Sequence, residues 1–236
     1  MTTQRTVLAI DSGTQSVRAI LFDERGNVLA EGRHAHQPLL RPEKGAVEQD
    51  TDDMWDSLVA ACQACMEQIR EQDLPMPQAA GLTSQRKLMI CTDRNGDPLM
   101  PALHWLDKRT PKPKKTGFLA RTVMALSGDE GLLSSLISLS QANMLQEVYP
   151  DIYDRAEHML SLTGWFTHRL TGAYRDAAGS ITGVYPYDVK TSSWRTTAAL
   201  VDLLGYKLER LPEVVPAGAE LGRVTLNSPI TGTIVT

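Results

Sequence analysis

The strongest constraint on the fold lies in residues 6–31. Thr6 to Ile10 is a β-branched and aliphatic run that stops at Asp11-Ser12-Gly13, and Val17 to Phe22 repeats the pattern before Asp23-Glu24-Arg25-Gly26-Asn27. Val28 to Glu31 starts it a third time. Short apolar runs separated by tight polar turns predict consecutive antiparallel strands, a meander. Few folds built from repeated βα units open this way.

The periodicity changes after the meander. Asp50 or Thr51 caps a predicted helix on which Met54, Trp55, Leu58, Val59, Cys62, Cys65, Met66 and Ile69 recur at spacings of three and four. Ala79 to Thr83 starts as a buried strand. Lys87 to Thr92 and Leu99 to Trp105 are predicted to pair across a turn with Asn95-Gly96 at its centre. Helical pattern covers Phe118 to Tyr149, Leu160 to Leu170 (closed by Gly172) and Ala198 to Leu204. Residues 173–194 carry the composition of an ordered loop, and Gly222 to Thr236 alternates like a hairpin.

Composition narrows the class. The net charge is −4, with 22% charged and 42% hydrophobic residues, an ordinary globular mixture. Mild acidity argues against nucleic acid as the main partner, because neutralising phosphates needs a basic face. The basic run Lys108-Arg109, Lys112, Lys114 and Lys115 is interrupted by prolines and is expected to be a solvated loop. No stretch approaches the roughly 20 apolar residues of a membrane span. The N-terminus lacks the make-up of a secretory signal. The 3 cysteines are too few for a disulfide framework, so a reducing, cytoplasmic setting is expected. Cys62 and Cys65 fall inside a helix and are expected to pack in the core. The 5 histidines show no metal spacing and are expected at the surface, with His34 and His36 on one side of a strand.

Three segments can carry chemistry. Asp11-Ser12-Gly13-Thr14-Gln15-Ser16 joins two strands, and its glycine allows close approach of a ligand while its neighbours offer hydroxyl, amide and backbone donors. A strand-end carboxylate such as Asp11 suits Mg²⁺, and metal, phosphate and glycine turn belong together in phosphoryl transfer. A plain hairpin turn is the competing reading. In Thr83-Ser84-Gln85-Arg86-Lys87, Arg86 supplies planar donors for hydroxyls or a carboxylate. In Trp105-Leu106-Asp107-Lys108-Arg109, Trp105 can wall a sugar face, and Asp107 can accept from hydroxyls or pair with Arg109.

Taken in order, these motifs resemble the FGGY family of carbohydrate kinases. The likeness runs over essentially the whole chain. It starts at Ala9 to Arg18 and continues through Ala46-Val47-Glu48-Gln49-Asp50 and Gly81 to Arg86. Pro98 to Arg109 is its strongest stretch. Leu170-Thr171-Gly172, Asp176 to Ser180 and Leu211 to Gly218 follow. The resemblance implies an α/β domain of the ribonuclease-H-like, actin/hexokinase type, with a mixed five-stranded sheet flanked by helices. It implies transfer of the γ-phosphate of ATP, with Mg²⁺, to a hydroxyl of a sugar or polyol.

Residues 1–236 would be the N-terminal, sugar-binding domain, with the nucleotide-binding domain outside this chain. By position, Asp11 would be the metal-linked carboxylate, and Gly13, Thr14 and Gln15 would line the phosphates with Arg18 nearby. Gln85, Arg86, Lys87 and Trp105 would face the substrate, with Asp107 and Arg109 organising the pocket or serving as scaffold. Lys87 stands where glycerol kinases carry glutamate and xylulokinases histidine, which favours neither glycerol nor xylulose. The family's general base is an aspartate expected beyond Thr236, so the chain alone is expected to be inactive. The other readings are a sugar-sensing or docking module, self-associating through a former domain interface, and a metal-dependent nuclease built on Asp11, Glu48 and Asp50.

Overall fold

The computed structural model describes residues 5–111, 140–182, 185–194, 201, 203–225 and 228–236. The meander is present: β1 (Thr6–Ser12), β2 (Ser16–Asp23) and β3 (Val28–Ala35) pair antiparallel in chain order. At the first turn Gly13 N donates to Ser16 O at 3.0 Å. At the second, the Asp23 carboxylate accepts from the backbone N of Arg25 and Asn27, at 2.9 and 2.8 Å, and Gly26 takes a left-handed φ of 81°. A short strand β4 (Glu48–Gln49) then leads into helix α1 (Thr51–Glu71).

Helix α1 starts where the sequence places it. The Asp50 carboxylate accepts from Asp52 N at 2.8 Å and Asp53 N at 3.3 Å, satisfying amides that the first turn cannot. Its buried stripe is Met54, Leu58, Ala61, Cys62, Cys65, Met66 and Ile69. At about 1.5–3 kcal/mol per large apolar side chain removed from water, this stripe outweighs intrinsic propensity in fixing the helix on the sheet. Cys62 and Cys65 are core residues, and burial pushes the Cys62 thiol up to about 12. Gly32 of β3 is a point of close approach, since a Cβ there would lie 2.0 Å from Ala61 O.

The helix carries the chain to β5 (Ala79–Ser84), which pairs parallel to β1. The C-terminal hairpin of β13 (Gly222–Arg223) and β14 (Ile234–Val235) completes the sheet, β14 running parallel to β5. Among the described residues the order is β13-β14-β5-β1-β2-β3. The expected five strands are therefore joined at one edge by the two-residue β13.

The hairpin expected across Asn95-Gly96 is reduced. Strand β6 (Ile90–Thr92) and Met89 before it form no ladder with the returning segment, only the isolated bridges Met89↔Leu103 and Thr92↔Pro98. Pro98 and Pro101 supply no N–H to a ladder, and β6 instead pairs with β8 (His158–Leu160). The short strand β7 (Ala102–Leu103) pairs with β4. The turn itself is well made: Asp93 Oδ1 accepts from Asn95 N and Asp97 N, and Gly96 has φ 86°.

Helices α2 (Gln141–Val148) and α3 (Pro150–Arg155) follow, then α4 (Leu162–Thr171), which ends on a left-handed Gly172 with φ 78°. Leu160, expected in that helix, closes β8 instead, because Ser161 caps α4 by accepting from Gly164 N. The segment read as loop contains β9 (Arg175–Ala177), the single turn α5 (Ala178–Ile181), and the two-residue strands β10 (Tyr187–Asp188) and β11 (Ser193–Trp194). Beyond them β12 (Glu213–Val215) pairs parallel to β9. The start of the Phe118 to Tyr149 pattern and most of the Ala198 to Leu204 helix lie outside the described residues.

Trp165 and Phe166 of α4 are fully buried in the core that α1 forms against the sheet. A second cluster, with Met89, Leu103, Met144, Leu145, Tyr153, Met159 and Tyr185, lies beyond β6 and β7. Four histidine expectations change, beginning with His104 at 1% exposed and His158 and His168 half-buried. The His36 side chain, just past β3, is 1% exposed, and both it and His34 reach Ser57 Oγ at 3.1 Å.

Candidate active site

The site gathers where β1 and β5 end side by side. Asp11 sits opposite Arg18 on β2 and Thr83 on β5. Alternation buries Ser12 and leaves Asp11 and Arg18 exposed on the other face. Among the described residues Asp11 makes no ion pair or side-chain hydrogen bond, so its carboxylate is an open acceptor at the strand ends. No group of three or more His, Cys, Asp or Glu gathers around a possible metal position among the described residues. A cation held by Asp11 would therefore take most of its ligands from water and phosphate, the habit of Mg²⁺.

The turn after Asp11 is shaped from several sides. His36 N donates to Gln15 O at 2.9 Å, and Gln85 N donates to Ser12 O at 2.7 Å. The backbone N–H groups of Thr14 and Gln15 have no partner among the described residues, which leaves two donors at an exposed turn. Gly13 does not take a left-handed φ, and a Cβ there would meet Ser16 O at an ordinary 3.6 Å. Folding alone does not demand a glycine at 13; a ligand brought against the backbone would.

A polar chain ties this turn to the segment after β7. Trp105 Nε1 donates to Thr14 Oγ1 at 3.3 Å, and Thr14 Oγ1 donates to Gln85 Oε1 at 3.1 Å. His104 Nε2 reaches the same Gln85 oxygen at 3.0 Å, while Gln85 Nε2 donates to Gln49 Oε1 at 2.8 Å. Leu106 N donates to His104 Nδ1 at 3.1 Å, which makes Nδ1 the acceptor and puts the proton on Nε2. Burial, then the nearby Arg41 charge, lower His104 to about 4, so the ring is neutral. The Thr14 hydroxyl is thus committed inward, and the turn offers its backbone, rather than that hydroxyl, to a ligand. The β4–β7 pairing sets Gln49 opposite Ala102 and brings these groups together.

Beside this chain lies a cavity of about 360 Å³, lined by Lys87, His104, Trp105, Asp107, Lys108, Arg109, Thr110, Ser140, Gln141 and Met144. Trp105 is 44% exposed, so its ring forms an open wall. Lys87 has a left-handed φ of 56°, and its carbonyl accepts from Gln141 Nε2 at 3.1 Å. That amide also donates to Leu103 O at 3.1 Å, while its Oε1 is buried without a donor among the described residues.

Asp107 spends its carboxylate on the fold. It accepts from Val47 N at 3.1 Å, from Arg109 N at 2.8 Å and from the Arg109 guanidinium, with Nη2 at 2.7 Å. The same guanidinium reaches Glu43 at 2.9 Å, Glu48 at 3.2 Å and Tyr149 Oη at 3.1 Å. Burial works against its charge, but the bonds to Asp107, Tyr149 and Glu43 hold its pKa above the usual arginine value. Arg109 is therefore no solvated-loop cation; Lys112, Lys114 and Lys115 lie outside the described residues. Glu48 is held by Arg109 and Tyr149 and Asp50 caps α1, so the trio Asp11, Glu48 and Asp50 is not assembled as a nuclease would need.

Of the residues singled out in sequence, the structure brings Asp11, Gly13, Thr14, Gln15 and Gln85 to one end of the sheet. Lys87, Trp105 and Asp107 line the cavity. Arg86 does not line it; its guanidinium donates to Thr182 O. Gln49, His104 and Gln141 are the additions. The first two stand in quoted segments without chemical signal, and Gln141 arrives from a distant helix.

Residues 6–231 match the model of the FGGY family of carbohydrate kinases, N-terminal domain. The chain belongs to this family. An uncharacterized sugar kinase of Escherichia coli strain K12 is 27% identical over 221 residues, covering 93% of this chain and 37% of that protein. The crystal structure of xylulose kinase from Rhodospirillum rubrum aligns with a TM-score of 0.78 at 20% identity, over 98% of this chain and 48% of that one. Plasmodium falciparum glycerol kinase with ADP aligns with a TM-score of 0.76 at 18% identity, over 99% of this chain and 48% of that one. These FGGY relatives share the actin/hexokinase-like fold, and this chain spans less than half their length. None of the described helices is long and apolar enough to cross a membrane.

Proposed function

We propose that this chain is the acceptor-binding half of an ATP-dependent sugar or polyol kinase. The observation that supports this reading best is the hydrogen-bonded run Trp105–Thr14–Gln85–His104. It links an aromatic-walled cavity of about 360 Å³ to an exposed turn with two backbone donors that have no partner among the described residues. A phosphoryl transfer enzyme needs an acceptor pocket and a phosphate-binding turn held in fixed relation, because most of its catalysis is positioning and charge stabilisation.

In this reading Trp105 stacks on the acceptor, and Lys87 and Gln141 contact its polar groups. The N–H groups of Thr14 and Gln15 bind phosphate oxygens with Arg18 nearby, and Asp11 holds Mg²⁺, whose charge would offset that of the transferring phosphoryl group. ADP in the aligned glycerol kinase supports ATP as the donor. The general base is proposed to lie outside residues 1–236, so the isolated chain is proposed to bind acceptor without turning it over. The cytoplasm is the proposed compartment.

The test has two arms on the purified chain. Titration with sugars and polyols, followed by tryptophan fluorescence, is expected to saturate and to be lost in Trp105→Ala. A coupled ADP-release assay with ATP, Mg²⁺ and the same compounds is expected to stay at background. A flat titration across the panel overturns the acceptor-binding reading, and acceptor-dependent ADP release overturns the proposed inactivity.

A further inference from the structure

The hydrogen-bond inventory of the cavity is one-sided, and we infer that its acceptor carries a carboxylate: a sugar acid of the aldonate class rather than a neutral polyol. The inference rests on the reading of this cavity as an acceptor site. It names the ligand class that the lining selects.

Among the described lining residues the charged groups are Lys87, Lys108 and Arg109 against Asp107. Asp107 and Arg109 satisfy each other, and both Asp107 oxygens also serve backbone or guanidinium N–H groups. Glu43 and Glu48 lie behind, bonded to the same guanidinium, and Glu48 takes the Tyr149 hydroxyl as well. Neither carboxylate lines the cavity. Lys87 and Lys108 have no carboxylate within ion-pair distance among the described residues. Each ammonium brings three donors and no acceptor. The Gln141 amide nitrogen is spent on the carbonyls of Lys87 and Leu103. Ser140 Oγ donates to Leu204 O and accepts from Asn143 N.

What the wall leaves for a ligand is mostly donors, two of them cationic, with the orphaned Gln141 Oε1 and the Thr110 hydroxyl as acceptors for the ligand's own hydroxyls. A neutral polyol offers a donor with every acceptor and would leave the ammonium groups without a counter-charge. A carboxylate is acceptor-only and anionic, and pairs with them through charge-assisted bonds. The hydroxylated remainder of an aldonate suits the Trp105 face and Gln141. Half-buried Lys87 is the selecting group, and exposed Lys108 contributes a screened share.

The experiment compares D-gluconate with D-glucitol, which differ only at one terminal carbon, by titration calorimetry on the intact 236-residue chain at low and moderate salt. Gluconate is expected to bind at least about tenfold more tightly, about 1.4 kcal/mol, with the margin shrinking as salt rises. Lys87→Met is expected to erase the preference and Lys87→Glu to reverse it, with circular dichroism showing both variants folded. Inorganic phosphate serves as the competing anion. If phosphate displaces gluconate and itself binds more tightly, with Lys87→Met weakening phosphate alone, the lysine serves a phosphate and the inference is overturned. Equal binding of the two compounds, or an unchanged preference in Lys87→Glu, also overturns it and leaves the acceptor-site reading standing. Binding of neither compound by folded protein overturns that reading as well.

Discussion

Replacing Arg109 by alanine is expected to destabilise the chain by about 3 kcal/mol, the lower end of the cost of removing one partner of a buried ion pair. The Arg109 side chain is 10% exposed, and the Asp107 and Glu48 carboxylates it joins are 5% and 6% exposed. Removing the guanidinium leaves both without a counter-cation where water reaches them poorly. Each keeps some support, which places the loss at the lower end: Asp107 retains the backbone N–H groups of Val47 and residue 109, and Glu48 retains the Tyr149 hydroxyl. Glu43, 58% exposed, adds little.

With a urea m-value of about 3 kcal/mol/M, the unfolding midpoint followed by tryptophan fluorescence drops by roughly 1 M. The combined variant Glu48→Gln, Asp107→Asn, Arg109→Met, which removes all three charges, is expected to recover at least half of the loss. A loss in Arg109→Ala below about 1 kcal/mol, the range of surface pairs, would show that solvent reaches the network and refute the reasoning.

His104 is lowered to about 4 from 6.5 by burial and Arg41, so its unfolded form takes up a proton first and stability falls as pH drops through that window. His36 and His158, lowered chiefly by burial, act in the same direction. Buried Asp176 is raised by burial to about 6 from 3.8, so the folded state holds the extra proton and stability falls as pH rises through that window, by about 2–3 kcal/mol. The two partly cancel in the native chain. Chemical denaturation between pH 4 and 6 should find Asp176→Asn losing stability more steeply on acidification and His104→Gln less steeply than native; parallel curves would contradict both assignments.

Gly32→Ala should cost about 2 kcal/mol or more in urea unfolding, because the new methyl meets helix backbone rather than a movable side chain. Gln85→Leu should leave folding intact by circular dichroism but release the Trp105 indole from Thr14, seen as a changed fluorescence maximum and a weaker acceptor titration. An unchanged spectrum would break the proposed link between cavity and turn.

Sequence alone reached the parts of this protein governed by local rules. Two-residue alternation and turn chemistry gave the β1–β3 meander, 3.6-residue periodicity with an Asp cap gave α1, and Gly172 gave the end of α4. The motif order gave the family, and the strand-end position gave Asp11 and its turn. Other features depended on which distant backbone supplies a partner. Strand β6 leaves its sequence neighbour, whose prolines cannot donate, for β8. His104 becomes a neutral, buried donor because β4 and β7 close over it. Arg109 changes from a solvated cation to the centre of a buried network because Glu43, Glu48 and Tyr149 converge on it. The donor-rich lining of the cavity is visible only once Gln141, from a helix beyond Ser140, spends its amide on Lys87 and Leu103. Hydrogen-bond partners and desolvation are properties of assembled space, and no spacing along the chain encodes them.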